Sequence, residues 1–189
     1  MYVMGVVTMK TLNKRAWIDA ALEALSEEGS KSLSIVKLAQ KLGVTRGSFY
    51  YHFDSLSHLI DAMIARWESE VIDRVFREAR ALSATAVSEV ESLIDLVTQL
   101  TDKQDIVFRQ WAPHNEQVRL HMERLDQKRL SIMTDLFQRL VGEDALGASY
   151  AKIAFYGYIG CLNSYPRPSS EQQRQMALEI LGLFSRQKV

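Results

Sequence analysis

The chain has 189 residues, 47% apolar and 24% charged, the balance of an ordinary folded protein long enough to bury a real core. A single cysteine, Cys161, excludes an intramolecular disulfide framework and suits a reducing cytoplasm, and no apolar run approaches the roughly 18 residues of a membrane span. The formal net charge is zero, yet residues 9–55 hold seven Lys/Arg against five acids, while residues 56–189 hold sixteen against eighteen. A slightly basic end on a neutral chain suits a protein that touches a polyanion with one end only.

The opening "MYVMGVVTMK" is apolar but lacks a basic leader and a cleavage site. It reads as a loose arm over residues 1–11, with Met9 as an alternative start, and not as a secretory signal. No glycine or proline falls between Gly47 and Pro113, and no sustained alternation of Val, Ile and Thr occurs. The expected fold class is therefore all-α. A first helix of about residues 13–28 turns Trp17, Ala21, Leu22 and Leu25 inward and ends at Gly29. Ser34 caps a second, which carries Ile35, Leu38, Ala39 and Leu42 and closes at Gly43. Thr45 caps a short third helix reaching Phe53, and Ser55 caps a long fourth over about residues 54–81. Along that fourth helix Leu56, Leu59, Ile60, Met63, Ile64, Trp67, Val71 and Val75 keep the i, i+3, i+4 spacing. Further helices are expected over about 84–101, 103–112, 115–141, 144–164 and 171–186. In the last, Met176, Ile180 and Leu183 form one apolar stripe and Ala177, Leu181 and Phe184 a second, more than one packing contact requires. Part of that surplus is expected to meet a second chain.

Residues 33–53 read as two helices joined by "LGV", the pattern of a helix-turn-helix. Gly43 permits the positive-φ connection, Val44 fills the angle between the helices, and Ala39 is small enough for close crossing. Phe49 and Phe53, four apart, seat the third helix on the first two. Its opposite face then carries Thr45, Arg46, Ser48, Tyr51 and His52, with Tyr50 at the flank. Such a face suits a major groove. The hydroxyls of Thr45, Ser48 and Tyr50 can donate to phosphate, and amides at the helix start add partial positive charge. Arg46 can pair with guanine O6 and N7, and Gly47 lets the backbone approach closely. Ser34 belongs to the same candidate surface. Lys37 and Lys41 either touch phosphate or solubilise their helix.

At "AALEALSEEG", "SIVKLAQKLGV" and above all "RGSFYYHF", the sequence resembles the DNA-binding domain of the tetracycline-repressor (TetR) family of bacterial regulators. The resemblance implies a homodimer with an amino-terminal helix-turn-helix domain, here residues 1–55. A helical effector-binding and dimerisation domain would occupy residues 56–189. By position, Thr45, Arg46, Gly47 and Ser48 fall where the family reads bases, and Tyr50 and His52 where it touches backbone. Leu56 stands where the family usually has a lysine opening the fourth helix, so a common phosphate contact is missing. Arm residues Lys10, Lys14 and Arg15 are expected to take more of the load.

Trp67, Phe108, Trp111, His114, Met122 and Tyr156 are candidates for an effector pocket, pointing to an apolar or aromatic small molecule. Ala154, Gly157, Gly160 and Cys161, with Ile180 and Phe184, are candidates for the dimer interface. His114 and His121 lack an evident third metal ligand, so neither a metal nor another cofactor is expected. No nucleophile–base pair, phosphate-cradling glycine loop or paired-carboxylate motif points to catalysis. The expected function is a cytoplasmic, ligand-responsive repressor that binds a near-palindromic duplex operator as a homodimer. The rivals are a helical small-molecule-binding protein or enzyme with a vestigial helix-turn-helix, and an activator or co-repressor-dependent regulator.

Overall fold

The computed structural model describes residues 12–99 and 103–185, and every regular element among them is helical. The expected arm, with Lys10, lies outside the described residues. No described helix is long and apolar enough to cross a membrane. The chain divides into two compact units, one ending at Arg66 and the other beginning at Trp67. The division falls later than the expected 55/56 boundary because the fourth helix is tied to the first unit. Arg66 near its end forms an ion pair with Asp19 of the first helix.

The first unit contains α1 (Lys14–Glu28), α2 (Ile35–Leu42), α3 (Arg46–Tyr50) and α4 (Leu56–Trp67) up to Arg66. Local chemistry sets the ends. The Asn13 side chain accepts from the Ala16 N–H at 2.9 Å, Ser34 Oγ from the Lys37 N–H at 3.2 Å, and Ser55 Oγ from the His58 N–H at 3.1 Å. Gly43 ends α2 in the left-handed region, at φ 67° and ψ 33°. Thr45 holds the cap position of α3, but its side chain makes no cap hydrogen bond. Its carbonyl accepts from the Ser48 N–H at 3.1 Å, and α3 stops at Tyr50, short of the expected Phe53.

Trp17, Leu25, Phe49, Leu59, Met63 and Ile64 are completely enclosed, and Phe53 nearly so. Trp17 meets Phe49 edge to face at 5.3 Å, and Phe49 stacks on Phe53 at 5.4 Å. Burying each of these large side chains contributes about 1.5–3 kcal/mol. A five-residue helix cannot hold itself in water, so this burial is what fixes α3.

The second unit opens with a π-helical segment, Glu68–Ile72, where a single unbroken helix to residue 81 was expected. The Asp73 N–H reaches back five residues to the Glu68 carbonyl, and the buried stripe shifts from the predicted Val71 to Ile72. Then follow α5 (Asp73–Ala81), α6 (Ala86–Gln99), α7 (Lys103–Trp111), α8 (Glu116–Val141), α9 (Asp144–Asn163) and α10 (Ser170–Ser185). Their core includes Val90, Leu93, Leu136, Phe137, Tyr150, Leu181 and Phe184. Tyr150 and Phe184 lie parallel at 3.8 Å. Gly142, in the left-handed region, joins α8 and α9 into a hairpin. The helices are closest at Gly147, where an added Cβ would fall 2.6 Å from Gln138 Cα.

Glu68, nearly buried, accepts from Arg124 Nη2 at 2.7 Å and from Lys128 Nζ at 2.8 Å. Lys128 also bonds Asp73 at 2.7 Å. Burial disfavours the Glu68 charge, but hydrogen bonds from Arg124 and Lys128 outweigh it and hold the carboxyl below its ordinary 4.5.

Two outcomes follow for urea denaturation. Gly147→Ala should lower the unfolding free energy by about 1–3 kcal/mol, because backbone must move to admit the methyl. Gly182→Ala, whose Cβ meets nothing within 4 Å, should leave stability unchanged or raised. The stability gap between the wild type and Glu68→Gln should be present above pH 4.5 and close as pH falls through the lower folded-state pKa.

Candidate nucleic-acid interface and ligand cavity

With Phe49 and Phe53 drawn inward, the rest of "RGSFYYHF" is sorted by position. Tyr51 is 83% exposed and Tyr50 59%, while Thr45, Arg46 and Gly47 are exposed and Ser48 is half-buried. Tyr50 sits edge-on to Phe49 at 5.4 Å, so its ring base is braced from behind. Arg46 makes no ion pair among the described residues, and its guanidinium keeps all its donors for a ligand. With five residues, α3 is too short for much macrodipole, so side chains carry most of this face.

Three candidates are already engaged. His52 is half-buried, and its Nε2 lies 2.6 Å from the Leu12 carbonyl oxygen, with Tyr51 edge-on to the ring at 4.9 Å. It fastens the segment before α1 to the chain just past α3, and Tyr51 beside it is the exposed ring. Ser34 Oγ is committed to capping α2. Lys41 bridges Glu23 at 3.0 Å and Glu27 at 3.4 Å, and the hydrogen bond it donates to Glu23 leads in raising its pKa. That resolves Lys41 as a surface link to α1. Lys37 is exposed, and its Nζ donates to the Lys31 carbonyl at 3.1 Å with two donors to spare. Lys14 lies over the Phe53 ring at 5.0 Å.

The second unit holds a cavity of about 190 Å³ among α5, α6, α8, α9, α10 and the π segment. Its wall is apolar, with Val90, Leu93, Met133, Phe137, Phe155 and Met176 among the lining side chains. None of the six residues expected to form an effector pocket lines it. Trp67 and Phe108 pack on each other at 5.1 Å and, with Met122, are ordinary core. Trp111 is half-buried, His114 is exposed, and Tyr156 is 60% exposed. Conversely, Ala154, Gly157, Cys161, Ile180 and Phe184, expected at a dimer interface, all line the cavity. Phe184 is buried in the subunit's own core. The double stripe of α10 was thus the usable signal for a cavity, since one stripe closes the core and part of the other walls a void. Gly160 is exposed and outside the cavity lining, beside exposed Ile153 and Tyr156 on the same face of α9.

Residues 18–63 match the family model described as bacterial regulatory proteins, tetR family. Those residues carry a TetR-family DNA-binding domain. It is 25% identical over 161 residues to the HTH-type transcriptional regulator BetI of Escherichia coli O17:K52:H18 (strain UMN026 / ExPEC), covering 80% of this chain and 82% of that one. Over a shorter stretch it is more alike: 46% identical over 55 residues to tetracycline repressor protein class D of Escherichia coli, 29% of this chain and 25% of that one. In fold it resembles SCO4454, a TetR-family transcriptional regulator from Streptomyces coelicolor. The TM-score is 0.77 at 18% identity, over 92% of this chain and 88% of that chain. The described residues form an all-α fold, and the first unit carries the helix-turn-helix of a DNA-binding regulator.

A direct measure of the interface is readout by Arg46. Arg46→Ala should cost about 1–3 kcal/mol on a cognate site and relax preference at one base pair. Tyr50→Phe should weaken all duplexes alike, since phosphate contacts carry no base information. Fluorescence anisotropy on a set of single-base operator variants reads both.

Proposed function

We propose that this TetR-family regulator is a ligand-responsive repressor that acts in the cytoplasm as a homodimer on a near-palindromic operator. The observation that carries the DNA-binding part is the sorting of one short helix. Its phenylalanines are enclosed, while Arg46, Thr45, Tyr50 and Tyr51 stand in solvent. Thr45, Arg46, Gly47 and Ser48 would read base edges, and Tyr50, Tyr51 and Lys37 would grip phosphate.

Dimerisation through α9 and α10 is supported by apolar side chains left in water. Ile153, Tyr156, Met176 and Leu183 are between 46% and 62% exposed. Gly157 and Gly160 have nothing within 4 Å of a built Cβ, so a second backbone can approach there. Two copies would offer two α3 helices to successive major-groove segments. The cavity supplies the sensing half of the reading. Its wall includes Ile72 of the π segment that follows α4, so occupancy acts on the stretch of chain leading out of the first unit. A ligand that favours one arrangement of the dimer shifts the population toward it and changes operator affinity.

The wild type should bind DNA from upstream of its own gene with an affinity that falls steeply as salt rises, measured by electrophoretic mobility shift. Salt-insensitive or absent binding would favour a helical binding protein with an idle helix-turn-helix. In analytical ultracentrifugation the wild type should sediment as a dimer at micromolar concentration, and Gly160→Arg as a monomer with unchanged helicity by circular dichroism.

A further inference from the structure

Among the described residues, the cavity wall carries five side chains able to donate a hydrogen bond: Thr98, Arg129, Tyr158, Cys161 and Gln173. Three of them spend a donor within the chain without involving the void. Thr98 Oγ1 donates to the Ile94 carbonyl of its own helix at 2.7 Å. The Gln173 amide nitrogen donates to the Pro168 carbonyl at 2.7 Å, and the Tyr158 hydroxyl to Asp105 Oδ2 at 3.3 Å. Asp105 is completely enclosed and does not line the cavity.

Arg129 is the ionised residue of the wall, and its charge is directed elsewhere. Its Nη1 lies 2.9 Å from Asp105 and 3.4 Å from Asp126, and Nη2 is sealed in by protein atoms. The guanidinium carbon stands 5.3 Å from the centre of the Trp67 ring, which is core and not cavity wall. What Arg129 can present to the void is its methylene stem. The thiol of half-buried Cys161 is a weak donor, and Gln173 stands partly in solvent, where water serves the rest of its amide. The remaining wall is aliphatic, aromatic and methionine side chains, with Gly157.

A ligand oxygen brought into such a space gives up its water and meets no strong donor in return. That loss is worth about tenfold or more in affinity. An anion loses more, because Arg129 is already matched by two aspartates. We propose that the cavity takes a hydrocarbon, held by shape and dispersion alone, in preference to the alcohol, ketone or acid of the same skeleton. The proposal rests on the reading of this cavity as the effector site and adds the class of effector. Its size follows from the volume: a dry cavity of about 150 Å³ accommodates benzene, so about 190 Å³ holds one ring with a short alkyl branch.

Cys161, the single cysteine of the chain, lies in the wall and serves as a built-in reporter of occupancy. The full chain is titrated with isopropylbenzene, acetophenone and benzoate, read by calorimetry and by the rate at which iodoacetamide alkylates Cys161. Isopropylbenzene should bind about tenfold or more tightly than either of the others, with a negative heat-capacity change, and should slow the alkylation. Thr98→Val, which removes a wall hydroxyl, should leave that affinity unchanged or raised. Ala177→Phe, which fills the void, should abolish binding; if it does not fold, the wild-type series decides alone. Acetophenone or benzoate binding as tightly as isopropylbenzene would overturn the hydrocarbon class and leave the effector cavity standing. Binding that leaves Cys161 alkylation unchanged would put the ligand elsewhere and overturn the inference. Failure of all three to bind would overturn the effector cavity and this inference together. The expected preference without any change in DNA affinity would uphold the inference and remove the sensing role.

Discussion

Trp17, Phe49 and Phe53 form a run of ring contacts that α3 cannot do without. A helix of five residues has too few internal hydrogen bonds to persist, so its existence is owed to Phe49, buried within it, and Phe53, buried just beyond its end. Once those rings are enclosed, helical geometry leaves no freedom about the remainder. Arg46 and Tyr50 emerge on the side away from enclosed Phe49, and past the end of α3 His52 meets the Leu12 carbonyl next to enclosed Phe53. DNA binding here is a consequence of packing behind the surface that touches DNA. The same arrangement answers why four aromatics and a histidine fill the five positions 49–53: two are enclosed, two face outward, and the imidazole ties down the segment ahead of α1.

The second unit is governed by a different balance. Its helices α8 and α9 close on each other over Gly147, while α5, α6, α9 and α10 stand far enough apart to leave a void. A protein interior normally fills such space, and each missing contact forfeits dispersion energy. The void borders Arg129, a buried charge paired with Asp105 and Asp126, so the unit combines an unfilled apolar volume with a charged neighbour. Such an apolar volume is what a small-molecule site requires. The π turn at Glu68–Ile72, locked by Arg124 and Lys128, lies where the chain leaves α4 and supplies a cavity residue of its own.

The α10 helix shows how one sequence signal serves two structural ends. Its two apolar stripes exceed the need of one packing face, and the surplus has two destinations. Ile180, Leu181 and Phe184 reach the core and the cavity wall, Met176 lines the cavity while 46% exposed, and Leu183 remains largely in water. Periodicity counts apolar positions without saying what lies opposite them. For the same reason Trp67, Phe108 and Met122 looked like pocket residues and proved to be core, where ring and thioether pack with nothing to spare.

Much was determined by residue order alone. Helix positions and types, the Ser34 and Ser55 caps, the left-handed Gly43 and the inward pair Phe49 and Phe53 all follow from local chemistry and spacing. These features depend on neighbours within a few residues, which a linear sequence displays. Tertiary structure decided whatever depends on distant partners. It paired Lys41 with Glu23 and Glu27, and it set His52 against the Leu12 carbonyl. It opened a cavity where an interface was expected and assembled Asp105, Arg109, Asp126 and Arg129 into one neutral cluster. Ion pairs and voids arise from which helices come to lie together, and no period along a single helix encodes that.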